Sequence, residues 1–143
     1  MKPYSLLISE FEPDGSLRDI YVFDTNIKQW NIVLKAITRT NYEYNFLHAD
    51  EVIELPNDFD LIKALQESNP TILKIYITES IQINCHFFTD KEIEMDIDPN
   101  EILSETDYNA LTRFLSWLSK ITSSTVVLTH ENAPELVILS VES

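Results

Sequence analysis

The chain moves between two hydrophobic rhythms. Runs of period 2 read as half-buried strands, and runs of period 3.6 read as amphipathic helices. Tyr4 to Phe11 is rich in apolar residues and is expected to be a first strand. Glu12-Pro13-Asp14-Gly15-Ser16 is the clearest turn, because Pro, Asp and Gly each suit turn backbone. Leu17 to Phe23 returns as a second strand, in a hairpin with the first. Asp24, Thr25 and Asn26 offer caps for a helix over 26–38, with Ile27, Trp30, Leu34 and Ile37 as its buried stripe. Tyr42, Tyr44, Phe46 and His48 share one face of a further strand. A short helix follows over 57–67, capped by Asn57 or Asp58, with Phe59, Ile62 and Leu65 on one face and Asn69-Pro70 as its stop.

Ile72 to Thr78 and Ile81 to Phe88 are alternating, β-branched runs joined at Glu79-Ser80, and Glu92 to Asp96 extends that meander. The longest helix is expected over 104–121. Ser104 opens it as in a capping box, with Asp107 where Glu or Gln is usual. Tyr108, Leu111, Leu115 and Leu118 form its stripe, widened by Phe114, Trp117 and Ile121. Strands at 125–130 and 135–141, split by Asn132-Ala133-Pro134, close the chain. The order ββαβαβββαββ, with tight turns between most neighbouring strands, predicts a single α+β domain over 1–143. Its sheet is expected to be mainly antiparallel, with two to three helices packed on it.

Composition narrows the chemistry. Gly15 is the only glycine and Cys85 the only cysteine among 143 residues. Dinucleotide fingerprints and phosphate loops need several glycines at fixed offsets, and disulfide frameworks or cysteine zinc sites need several cysteines. Cys85 is in phase with Ile81, Ile83 and Phe87, so it reads as a core residue, with His86 on the opposite face. His48, His86 and His130 show no ligand spacing. The apolar stretch Leu6-Leu7-Ile8, interrupted by Glu10 and Glu12, is too short for a signal peptide or a membrane span. A cytoplasmic protein without cofactor, metal or catalytic residues is therefore expected. Trp30 reads as core, and Trp117 as core or interface.

Charge adds the one functional signal. The formal net charge is −14, which opposes binding to phosphate backbones and anionic membranes. Residues 50–60 hold Asp50, Glu51, Glu54, Asp58 and Asp60 with no basic residue. Residues 90–107 hold eight acids, among them Glu92, Glu94, Asp96, Asp98 and Glu101, against Lys91 alone. Asp90 to Asp98 alternate with Lys91, Ile93, Met95 and Ile97, so a strand there would present a carboxylate row on one face and bury the other. A solvated edge strand is one explanation of such a row. An anionic docking surface for a basic protein is the other. Asp96 to Asp107 matches the first acidic positions of a calcium loop, but Glu101 stands at the sharp-turn glycine and Asp107 at the bidentate Glu.

Two stretches carry a resemblance. Leu17-Arg18-Asp19-Ile20-Tyr21-Val22, leading to Thr25 and Trp30, is one. The other is Phe114-Leu115-Ser116-Trp117-Leu118, followed by Val126 to Asn132 and Pro134-Glu135. Together they resemble small bacterial immunity proteins of polymorphic toxin systems, contact-dependent or type VI. The resemblance implies a non-catalytic protein that binds one toxin, for instance a nuclease, and blocks it. A regulatory or adaptor module and a carboxylate-based enzyme are the alternatives.

Overall fold

A computed structural model describes residues 1–142. Alternating, β-branched runs supply the strands: β1 (Arg18–Phe23), β2 (Glu43–His48), β3 (Glu51–Ile53), β4 (Thr71–Thr78), β5 (Ile81–His86), β6 (Glu92–Ile97), β7 (Val126–His130) and β8 (Ala133–Val141). They form one sheet of order β3-β2-β4-β5-β6-β1-β7-β8. Every pairing is antiparallel. The α+β reading therefore holds.

One cross-strand row defines the buried face. Leu139, Leu128, Ile20, Met95, Cys85, Leu73, Phe46 and Ile53 stand opposite one another in turn, one from each strand. All but Ile53, which is half-buried, belong to the core. A slip of one residue in any pairing would turn that strand's apolar set to solvent, so the row pins the register.

The helices are α1 (Ile27–Ile37), α2 (Phe59–Gln66) and α3 (Glu105–Thr122), and they pack on this face and on each other. Each opens on a side-chain cap that accepts a backbone N–H: Asn26 from Gln29, Asp58 from Asp60 and Ser104 from Asp107. Asp107 accepts from the Leu103 N–H at 3.0 Å, one residue before the Ser104 N–H that a capping box engages, so only the Ser104 half of the expected box is formed. Trp30 is fully buried between Phe59 and Phe87, with ring centroids 5.1 and 5.2 Å away. Its indole N–H donates to the Thr89 carbonyl at 3.1 Å.

The expected strand over Tyr4 to Phe11 is not formed. Tyr4–Leu6 and Ile8–Phe11 are short 3-10 turns. Both edges of β1 are taken, by β6 and β7, which leaves no ladder position for this segment. Its buried residues, Leu7 and Phe11, are four apart, a helical spacing rather than an alternating one. Arg18, only 2% exposed, fastens the segment. Its Nε donates to the Glu10 carbonyl at 2.8 Å, and its other nitrogens donate to the Glu12 carbonyl at 3.3 Å and Ser16 Oγ at 2.9 Å. The Tyr108 hydroxyl donates to the Lys2 carbonyl.

β3 is a second difference, since three residues are too few for alternation to reveal. It returns from β2 through Ala49 and Asp50, with φ of 52° and 66°. Two positive-φ residues match the twist of a two-residue hairpin. An alanine there carries a left-handed penalty of about 1 kcal/mol that glycine avoids.

Two outcomes follow for urea unfolding. Arg18→Ala, which strips donors from several carbonyls, is expected to destabilise by about 3 kcal/mol. It should also open residues 1–16 to protease. Ala49→Gly is expected to raise stability by about 0.5 kcal/mol, the relief of φ strain being partly offset by glycine's greater unfolded-state entropy.

Candidate functional site

With all three helices on one side, alternate residues of each strand form a second face that carries no helix. The polar row next to the core row runs Asn45, Lys74, Asn84, Asp96, Asp19, Thr129, with Val137 at its end. At its centre Asp96 and Asp19 stand directly opposite each other on β6 and β1. Like charges in that position repel at the short cross-strand distance.

Each acid is held by its own partners. Asp96 accepts from Asn84 Nδ2 at 2.9 Å and from His86 Nε2 at 2.6 Å. Gln82 Nε2 donates in turn to Asn84 Oδ1 at 2.6 Å. Asp19, 6% exposed, accepts from the Tyr21 hydroxyl at 3.2 Å and from the Asn132 N–H at 2.8 Å. Glu94 lies across from Tyr21 on one side and His86 on the other. Burial pushes the Asp19 carboxyl above its ordinary value, and the charges of Asp96 and Glu131 add to that. Burial likewise raises Glu94. The hydrogen bond to Asp96 raises His86, against the opposing effect of burial. Two aromatic pairs extend this face: Tyr21 stacks on Phe23 at 5.0 Å, and His86 on Phe88 at 5.2 Å. Phe23 and Phe88 are both exposed.

The acidic windows are kept apart. Glu92, Glu94 and Asp96 line the open face from β6, opposite the buried Ile93, Met95 and Ile97. β6 sits between β5 and β1, so the row is central in the sheet and not on an edge. Asp98 caps a 3-10 turn over Pro99–Glu101, and Glu101 accepts from the Gln82 N–H at 3.0 Å. Three strands separate β6 from β3, near which the other window lies. There Asp50 is in the hairpin turn, Glu51 is on β3 and Glu54 is just beyond it; all three are exposed. Asp58 caps α2 and Asp60 lies in its first turn. Asp96, Asp98, Glu101 and Asp107 of the calcium-like stretch accept from nearby backbone or strand neighbours. Among the described residues no group of three His, Cys, Asp or Glu side chains is placed to hold a metal ion.

Cys85 is buried, and burial pushes its thiol up, which suppresses the thiolate a nucleophile needs. His48 Nε2 lies 2.9 Å from the Leu65 carbonyl and His130 Nε2 2.8 Å from Glu10 Oε2, so each joins one segment to another. Trp117 is half-buried beside Phe114 and Tyr42. Asp19, Tyr21 and Asn84 were not singled out from the sequence. Their phase, alternate to Ile20, Val22 and Ile83, was the available signal, but the expected pairing of β1 with residues 4–11 hid their neighbours.

Fold and face together define an α+β protein whose antiparallel sheet is covered by helices on one side and presents a carboxylate-rich polar row on the other. In comparisons with protein-family models, curated proteins and solved structures, nothing matches the chain. No helix among the described residues is long and apolar enough to cross a membrane.

The raised groups set a pH dependence. Asp19, Glu94 and His86 each hold protons more readily in the folded than in the unfolded chain. Stability then falls as pH rises. The carboxyl contribution is lost as pH climbs through the raised folded values, and the His86 contribution, full below about pH 6.5, is lost as pH passes its folded value. Thermal unfolding is expected a few degrees higher near pH 5.5 than near pH 8. His86→Gln should remove the part of that slope above pH ~6.5 and leave the acid-side part.

Proposed function

We propose that this chain is a non-catalytic binding protein that neutralises a basic partner protein, as an immunity protein does its cognate toxin. The observation that carries the reading is the half-buried carboxylate row Glu92, Glu94 and Asp96 in the middle of a sheet face without helices. Adjacent like charges in a sheet cost stability, and a cationic partner laid over them converts that repulsion into attraction. The −14 net charge steers such a partner in from a distance. Phe23 and Phe88, exposed beside the row, supply aromatic anchors of the kind that carry binding energy. A toxin acting on nucleic acid has a cationic cleft for phosphates, and carboxylates fit it in their place.

The test is calorimetry against an inactive form of the neighbouring gene's product. Affinity is expected to fall at least tenfold between about 50 and 500 mM salt, the mark of charge-driven association. Glu92→Lys is the variant of choice, because Asp96 is engaged with Asn84 and His86 and its loss would disturb the fold. It should slow association by about tenfold while leaving the melting temperature within a few degrees. Absence of binding, or binding indifferent to Glu92→Lys, would sink the reading.

A further inference from the structure

Cations gather on one part of the helical side, along α1 and the later turns of α3. From Thr25 to Tyr42 there is no acidic residue, and none from Tyr108 to His130. Lys28, Ile32, Lys35 and Arg39 follow at spacings of four, three and four, so they form one stripe along α1 and the turn after it. All four are exposed. On α3, Arg113 and Lys120 are exposed and seven residues apart, on one stripe with Trp117 between them. These five cations are half of the ten in the chain. None is in an ion pair among the described residues.

Between the two stripes lies a shallow groove. It is lined by Ile32, Ala36, Trp117 and Ile121, with Lys35 and Arg39 along its α1 side. Ile32 is 43% exposed, and Trp117 is half-buried. An apolar strip between helices, rimmed by unpaired cations, has the form that accepts one face of an amphipathic helix. We propose that this groove docks an acidic amphipathic helix of a partner protein, its apolar face on Ile32 and Trp117 and its carboxylates on Lys35 and Arg39.

Two other occupants fit less well. A nucleic acid's phosphates engage only the cations of the rim and gain nothing from the apolar floor. A second copy would have to offer an acidic segment with an exposed apolar residue, such as Leu103, 75% exposed between Glu101 and Glu105. Where its geometry closes neither a two-fold dimer nor a ring, that contact runs on into open fibres. The groove lies on the opposite side of the sheet from the carboxylate row, so this inference stands or falls independently of the neutralising role proposed above.

The probe is a synthetic helical peptide of about 18 residues, with Leu at i, i+3, i+4 and i+7, Glu at the positions bordering that stripe, Ala and Gln elsewhere and no aromatic residue. Because Trp30 is fully buried, a change in tryptophan emission reports on Trp117. Saturable binding is expected with Kd of about 10–100 μM. The Lys35→Glu, Arg39→Glu double variant changes only exposed side chains and should keep its circular dichroism. It should lose at least tenfold in affinity and bind the same peptide made with Lys for Glu. Ile32→Glu should weaken both pairings. No saturable change up to about 1 mM peptide, equal binding of a scrambled peptide, or equal binding of a short single-stranded DNA through Lys35 and Arg39 overturns the proposal. So does concentration-dependent self-association abolished by Lys35→Glu, Arg39→Glu.

Discussion

The apolar row from Leu139 through Leu128, Ile20, Met95, Cys85, Leu73 and Phe46 to Ile53 is the constraint on which the other features depend. It passes through every strand and is covered by α1, α2 and α3 on one side only. Because side chains alternate, setting that row also sets the next one, and it has to be polar where it meets water. The polar ladder from Asn45 to Thr129 is therefore a direct consequence of one-sided layering. Its internal conflict, Asp19 facing Asp96, is held in place by Tyr21, Asn132, Asn84 and His86.

The same layering separates the charges. Carboxylates of β6 and β1 go to the open sheet face, and the cations of α1 and α3 go to the outer surface of the helices. A central strand such as β6 has no edge to protect, so its acids are not explained by resistance to edge-to-edge pairing. The buried member Asp19 and the half-buried Glu94 hold their protons more readily than free carboxyls, which ties the stability of this face to pH. A binding role for the open face and a docking role for the groove are two readings of one charge-polarised molecule.

Much of the fold was legible. The three helices and seven of the eight strands fall where periodicity and capping residues put them, including Ser104 as the cap of α3. The burial of Ile93, Met95 and Ile97 beneath the acidic row also followed from alternation. The failure at residues 4–11 came from treating an apolar stretch as a strand, although Leu7 and Phe11 repeat at helical spacing and the neighbouring strand had better partners. Within the candidate site the acids of β6 were visible, while Asp19, Tyr21 and Asn84 were not, since each belongs to a different stretch of chain.

By itself, then, the sequence determined three helices and seven of the eight strands, which side of each faces the core, and that the surface is acidic. Those properties are set by side chains within a few residues of one another. Only the tertiary structure decided that β1 inserts between β6 and β7, that Asp19 faces Asp96, that three strands part the two acidic windows, and that Lys35 and Arg39 meet Trp117 and Ile121 of α3 along one groove. Strand neighbours and helix packing are chosen by contacts between distant parts of the chain, where many pairings bury similar apolar faces and local pattern does not discriminate among them.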